Sequence, residues 1–320
     1  MLPELENKVK SMGINRKIKN IIRLMTDEDF RFRYLAGKGY YRRMCDRKYL
    51  ERFYKAHLGE RLNLDAPKTF NEKIQWLKLN DRKPEYTQMV DKIGAKKYVS
   101  ERLGEEYIIP TLGVWDSFDE IDFNELPDQF VLKCAHGSGD LVICQDKSKL
   151  DIQKIRKKMA VYLKREYYYY GREWPYKDVE PRIFAEQYMC DSESDQNNLT
   201  DYKFFCFDGV PKFVMTVRDR TKGKGKAMHR FYDTEWNIQD LDLDYRNEKK
   251  IPEPKPENLD QMLEIASILS KGIKHLRVDL YRIKGKIYFG EMTFYHMSGV
   301  ETFVPKEWDL KLGEYINIQS

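Results

Sequence analysis

Near the C-terminus, residues 275–298 read HLRVDLYRIKGKIYFGEMTFYHMS, with an arginine and two acids at alternate positions. Arg277 and Asp279 stand two apart in the first half, Glu291 and Thr293 two apart in the second. Residues two apart on a strand share a face, and Lys284, Gly285 and Lys286 between the halves read as a tight turn. A loop of those three residues pairs Ile283 with Ile287, setting Asp279 opposite Glu291 and Arg277 opposite Thr293. Val278 and Leu280 take the other face, as do Tyr288, Met292 and Phe294. Directly opposed side chains lie about 5 Å apart at Cβ, and carboxylates that close repel unless a cation lies between them. Hard oxygens from few side chains suit Mg²⁺, which keeps waters and bridges substrate phosphates. A solvated hairpin face with ordinary charges has the same pattern.

A second chemistry-bearing stretch is QFVLKCAHGSGDLVICQD, residues 129–146, in which two β-rich runs flank His136, Gly137, Ser138, Gly139 and Asp140. Lys133 lies on the first run. Small residues let backbone N–H groups approach phosphates, and a lysine adds charge beside them. Most such patterns are plain hairpins, but a lysine in mid-strand must face a solvent groove or an anion. The stretch is neither a Walker loop nor a dinucleotide fingerprint. Glu186 interrupts the apolar run RIFAEQYM, where a carboxylate could accept from an adenine amino group or simply end a strand. Asp240, Asp242 and Asp244 form an acidic alternation like that of metal-dependent glycosyltransferases. Such alternation is common on exposed edges, and residues 236–246 lack a preceding apolar strand. The histidines His57, His136, His229, His275 and His296 form no H-E-x-x-H, and no nucleophile elbow occurs.

These residues need elements to hold them. Residues 1–60 read as short basic helices. Thr69 caps a helix over 70–79 with Phe70, Ile74 and Leu77 on one stripe, and residues 91–103 form another helix closed by Gly104. A short strand is expected at 107–109 and acid–apolar alternation at 118–126. Helical spacing returns over 151–168 through Ile152, Ile155, Met159 and Tyr162. Strands are expected at 182–189, 201–207 and 212–217, with loops at 190–200 and 221–226, a proline-rich linker at 251–256 and a helix over 257–274. Strand pairs mixed with helices give an α+β or mixed α/β class.

Composition narrows the function. The chain has 320 residues, 41% hydrophobic and 34% charged, enough for two domains with a buried core. No run has the apolar length of a membrane span, and the first twenty residues lack a signal core, which points to the cytoplasm. Five scattered cysteines (Cys45, Cys134, Cys144, Cys190, Cys206) fit reduced thiols rather than a disulfide frame or zinc site. The net charge of +5 suits anionic small substrates as well as anionic surfaces. Residues 31–52 are basic and tyrosine-rich but match no RNA-binding module, so they read as a solvated helical face over buried tyrosines. No nucleic-acid partner is expected.

Taken together the segments resemble the ATP-grasp superfamily, and within it the TupA-like branch named for teichuronopeptide biosynthesis. The resemblance rests on KTFNEKIQWLKLNDRKPEYTQMVDK (68–92), LPDQFVLKCAHGSGD (126–140), PRIFAEQYM, DYKFFCFDG (201–209), and RVDLY followed by FGEMTF. It implies an ATP-grasp fold, two α+β subdomains clasping ATP, behind a helical basic N-terminal extension. The implied boundaries are 1–62 for the extension, 63–125 for a pre-ATP-grasp region, and 126–190 and 191–320 for the two subdomains. It further implies a carboxylate–amine, or carboxylate–thiol, ligase working through an acylphosphate. The substrates would be those of a surface polysaccharide or its uronic-acid or acidic amino-acid precursor, with possible ties to membrane-linked polysaccharide machinery. Under this resemblance Lys96 and Lys133 bind phosphates, the loop from His136 to Asp140 folds over them, and Glu186 and Tyr188 meet adenine with Asp201 at the ribose. Asp279 and Glu291 hold Mg²⁺, and Arg277 stabilises the oxyanion. Thr293 stands where the family usually has a metal-ligating asparagine, and Ala135 where the branch has asparagine. A glycosyltransferase using Asp240, Asp242 and Asp244 is the rival enzyme; an ATP-grasp protein without catalysis is another.

Overall fold

The structure, a computed structural model, describes residues 16–191, 199–218, 228–243 and 252–318. Three helices come first: α1 (Arg16–Thr26), α2 (Glu28–Gly37) and α3 (Asp46–Leu58). The second and third close on Phe32, Tyr49, Leu50, Phe53 and Tyr54, so Tyr49 of the basic stretch is buried, while Tyr34 and Tyr40 stay exposed.

The helix expected at Thr69 is α4 (Phe70–Asn80). Its start is fixed by a reciprocal cap: the Thr69 hydroxyl accepts from the Glu72 N–H at 3.2 Å, and the Glu72 carboxylate accepts from the Thr69 N–H at 3.1 Å. Such a cap contributes about 1 kcal/mol. α5 (Glu85–Val90) and α6 (Lys92–Leu103) follow. Phe70, Ile74, Tyr86, Met89 and Val99 share one core with the larger sheet described below.

The first sheet has four antiparallel strands in the order β1-β4-β2-β3: β1 (Thr111–Trp115), β2 (Phe130–Cys134), β3 (Leu141–Cys144) and β4 (Ile183–Gln187). Alternation sorts its faces. Phe130, Leu132, Cys134, Ile183 and Ala185 pack under α7 (Ile152–Leu163) with Ile155 and Met159. Val131, Lys133, Phe184, Glu186 and Ile143 take the opposite face, where Ile143 is 49% exposed. A short helix, α8 (Tyr168–Gly171), precedes β4.

The second sheet has five antiparallel strands, β7-β6-β5-β8-β9: β5 (Asp201–Phe207), β6 (Val210–Arg218), β7 (Met228–Asp233), β8 (His275–Ile283) and β9 (Lys286–Thr293). α9 (Leu259–Ser270) covers one side, and α10 (Glu307–Glu314) closes the chain against α4. The chain is therefore α+β.

Several expected elements shift. Residues 105–107 form a short 3₁₀ turn and the strand begins at Thr111, after Pro110. Residues 118–120 are a 3₁₀ turn, and α7 stops at Leu163. β7 was not expected, because His229 and Arg230 break the apolar run MHRFYD. The loop expected at 221–226 lies outside the described residues.

The β8–β9 hairpin corrects the turn but keeps the pairing. Lys284 (φ 49°) and Gly285 (φ 75°) are both left-handed, giving a two-residue turn in which Ile283 pairs with Lys286, not Ile287. Every pair would then be one residue out at the acidic end. A bulge at Gly290 absorbs the difference: Leu280 pairs with Phe289 but Asp279 with Glu291, and Arg277 with Thr293. A Cβ on Gly290 would lie 3.0 Å from both the Asp279 carbonyl and the Tyr281 ring. The bulge also moves Tyr288 opposite Tyr281, onto the face of Asp279 rather than that of Met292.

Candidate active site

On the open face of the first sheet, β2 and β4 put Lys133 and Glu186 within contact, the ammonium donating to Oε2. Lys96 reaches in from α6 to Glu186 Oε1 at 2.8 Å and also donates to the Ile109 carbonyl (2.7 Å) and Thr111 Oγ1 (2.8 Å). Both Glu186 oxygens are therefore held by ammonium groups. Burial alone would raise its pKa, but Lys133 and Lys96 outweigh that and keep the carboxyl below its usual range. Burial pushes the Lys96 ammonium down, with Glu186 opposing. Tyr188, further along, accepts from Gln145 Nε2 at 2.8 Å.

The glycine loop is a tight return. The Cys134 N–H donates to the Asp140 carbonyl at 3.0 Å, and Gly139 is left-handed at φ 75°. Asp140 is buried against Arg165; burial raises its pKa, and Arg165 and Lys92 pull it back. His136 is buried, which lowers its pKa and keeps it neutral. Ser138 shares a hydrogen bond with the Tyr167 hydroxyl.

Lys92 was not singled out from the sequence. It is the first residue of α6, and its ammonium donates to the Gly137 carbonyl. Burial lowers its pKa, Glu291 and Asp140 raise it, and Lys133 lowers it further. Lys92 and Glu291 line the same small cavity, with Met89, Tyr176 and Gly290. A signal existed: Asp91 caps α6 through the Ile93 N–H at 3.0 Å, so Lys92 sits in a first turn, where the helix dipole disfavours a cation. It also lies one turn before Lys96, on the same face.

On the second sheet Arg277 is the hub. Its Nε and Nη2 donate to Asp279 Oδ1 (2.7 Å) and Oδ2 (2.8 Å), and Nη2 also donates to Glu291 Oε1 (2.9 Å) and Thr293 Oγ1 (3.0 Å). Burial opposes its charge, but Asp279 and Glu291 raise its pKa further. Behind it, His296 Nδ1 accepts from Nη1 at 2.9 Å; burial, then Arg277, lowers that imidazole's pKa, so it is neutral and able to accept. Lys203, also missed from the sequence, bonds Asp201 Oδ2 at 2.9 Å and contacts Asp279 Oδ2. It lies directly across from Asp279 on β5.

The donor set fits a Mg²⁺ ion that arrives with phosphates. Two carboxylates face each other at Asp279 and Glu291; Arg277 and Lys203 already neutralise Asp279, while the Glu291 side chain is 40% exposed and keeps an oxygen for an ion held chiefly by phosphates and water. Thr293 is engaged by Arg277.

Past β9, Met297 (φ 45°) and Ser298 (φ 53°) are left-handed without being glycine, a strained conformation. Gln75 donates to the Ser298 and Gly299 carbonyls at 2.9 and 2.8 Å, and the buried Lys78 ammonium to Ser298 and Gly171 at 2.9 and 2.7 Å. Of the acidic alternation, Asp242 pairs with Val304 and accepts from the Leu243 N–H. The Asp240 carbonyl accepts from Trp308 Nε1, and Asp244 lies outside the described residues.

This chain matches the family described as TupA-like ATPgrasp over residues 72–317, most of its length, and belongs to that family. Its fold is the ATP-grasp fold. No curated protein matches the sequence. Among solved structures it is similar to D-alanine–D-alanine ligase from Bacillus anthracis complexed with ATP: 17% identity, TM-score 0.43, covering 71% of this chain and 64% of that one. It is also similar to an L-amino acid ligase from Bacillus licheniformis, at 13% identity and TM-score 0.43, covering 72% of this chain and 50% of that one. Among the described residues no helix is long and apolar enough to cross a membrane.

Proposed function

We propose that this chain is an ATP- and Mg²⁺-dependent ligase that joins a carboxylate to an amine, or to a thiol, through an acylphosphate. The observation that carries the reading is Lys92, whose ammonium donates to the Gly137 carbonyl of the glycine loop and which lines one small cavity with Glu291 of the second sheet, so that one triphosphate could meet the loop, Lys92 and Glu291 together. Lys133, Lys92 and Lys96 would take phosphate charge, with the backbone of Gly137, Ser138 and Gly139 folded over it. Glu186 would hold Lys133 and Lys96 in place. Val131 and Ile143, on the open face, offer an apolar shelf for a purine, with Tyr188 at its end and Asp201 at the ribose. Asp279 and Glu291 would hold Mg²⁺, which when bound neutralises charge on the transferring phosphate. Arg277 would stabilise the oxyanion formed when the amine attacks.

The strained turn after β9 would receive the carboxylate substrate, for which a uronic acid or an acidic amino acid is the expected class. We place the reaction in the cytoplasm, on a surface polysaccharide or its precursor. The test is a screen of uronic and amino acids, as acceptors and as amine donors, read by phosphate release from ATP. Substrate-dependent release lost in Glu291→Gln supports the reading. Sugar transfer from a nucleotide sugar, lost in Asp242→Ala, would replace it with the glycosyltransferase reading. ATP binding without turnover across the screen would favour a silent binding protein.

A further inference from the structure

The helix α1 carries an apolar stripe that stands exposed among the described residues. Its sequence, RKIKNIIRLMT, has four basic residues and no acid. Ile18, Ile21 and Met25 recur at helical spacing and are 50%, 52% and 76% exposed. The helix is seated, not dangling: Arg31 of α2 donates to the Leu24 and Met25 carbonyls at 3.1 and 3.3 Å, closing its C-terminus.

The acids that follow are already paired. Asp27 bonds Arg23 at 3.2 Å, and Glu28 and Asp29 pair with Arg52 at 3.5 and 2.5 Å. Arg52 also lines a groove with Arg47, Lys48, Lys55 and Arg61. The groove's acids, Glu51 and Asp65, both pair with Arg47, at 3.3 and 2.6 Å. A basic groove therefore begins where the apolar stripe ends.

We propose that α1 and this groove seat the protein on an anionic lipid bilayer, with Ile18, Ile21 and Met25 among the acyl chains and Lys48, Lys55 and Arg61 near the headgroups. An exposed apolar stripe on an acid-free basic helix is the pattern of a helix lying in a membrane plane. A second copy docked on the same face would bring like charges together. A helix this short binds weakly by itself, and the groove supplies the second signal that stable attachment requires.

The test is flotation of the full chain with vesicles of phosphatidylcholine alone or with about 30% phosphatidylglycerol, the anionic lipid supplying the surface charge. Flotation with the anionic vesicles, lost as salt rises toward about 0.5 M, supports the proposal. The bound fraction should fall about tenfold in Ile18→Ser/Ile21→Ser/Met25→Ser and again in Lys48→Glu/Lys55→Glu. All these side chains are on the surface, so an unchanged melting temperature shows that the variants are folded. Equal flotation with neutral vesicles, no flotation at all, or wild-type flotation of the serine variant overturns the proposal. So does a lipid-free dimer that the serine variant turns to monomer, which would make a second copy the occupant.

Discussion

Replacing Glu186 by glutamine removes one negative charge from between two ammonium groups without changing the side chain's shape. Glu186 is 5% exposed, and its partners Lys96 and Lys133 are 13% and 26% exposed at the side chain. Breaking a buried pair costs about 3–5 kcal/mol because the remaining charge is left uncompensated. Lys133 keeps some water, so about 3 kcal/mol is the expected loss. In thermal unfolding of a chain of 320 residues that is a drop of roughly 4–5 °C. The sign with pH follows from the lowered carboxyl pKa: the contribution is present above the unfolded value of 4.5 and is lost as pH falls through the folded value. Wild type and Glu186→Gln should therefore converge in acid. ATP phosphates can replace the missing carboxylate beside both lysines, so ATP should raise the melting temperature of the variant more than that of wild type. Equal melting temperatures without ATP, or a smaller ATP effect in the variant, would refute the role of Glu186 as counter-ion to phosphate-binding lysines.

Three further outcomes can be checked directly. Gly290→Ala should press a methyl against the Asp279 carbonyl and the Tyr281 ring, both 3.0 Å away, and disturb the pairing of Asp279 with Glu291; activity should drop about 100-fold in a chain whose circular dichroism is unchanged. Lys92→Met should weaken ATP binding by calorimetry about tenfold or more, as expected for a lost charge-assisted contact of about 1.5 kcal/mol. His275 is buried, which lowers its pKa from 6.5 to about 3; between those values the unfolded chain binds the extra proton, so stability should fall as pH drops, by up to about 1.4 kcal/mol per unit. Denaturant titrations should show a shallower acid slope in His275→Asn.

The fold was legible where periodicity is clean. Alternation placed β5, β8 and β9, and Thr69 marked the start of α4. The pairing of Asp279 with Glu291 was also readable, though through two compensating features: a shorter turn at Lys284 and Gly285, and a bulge at Gly290. Glycine in a strand hints at a bulge but does not fix its register. Lys92 and Lys203 were not legible, because their significance lies in partners far along the chain: Lys92 with Gly137 and Glu291, Lys203 with Asp279. Glu186 could be marked as unusual within an apolar strand, but the two lysines that ionise it come from different elements. β7 escaped because polar His229 and Arg230 interrupt its apolar pattern.

The central claim is that Lys133 and Glu291, on different sheets, hold one nucleotide. A double-mutant cycle on MgATP affinity, using Lys133→Met and Glu291→Gln in calorimetry, tests it most directly. Groups that share a ligand couple, so the account predicts an interaction energy of about 1 kcal/mol or more, with the Glu291 effect seen only when Mg²⁺ is present. Strictly additive losses, or a Glu291 effect indifferent to Mg²⁺, would contradict it.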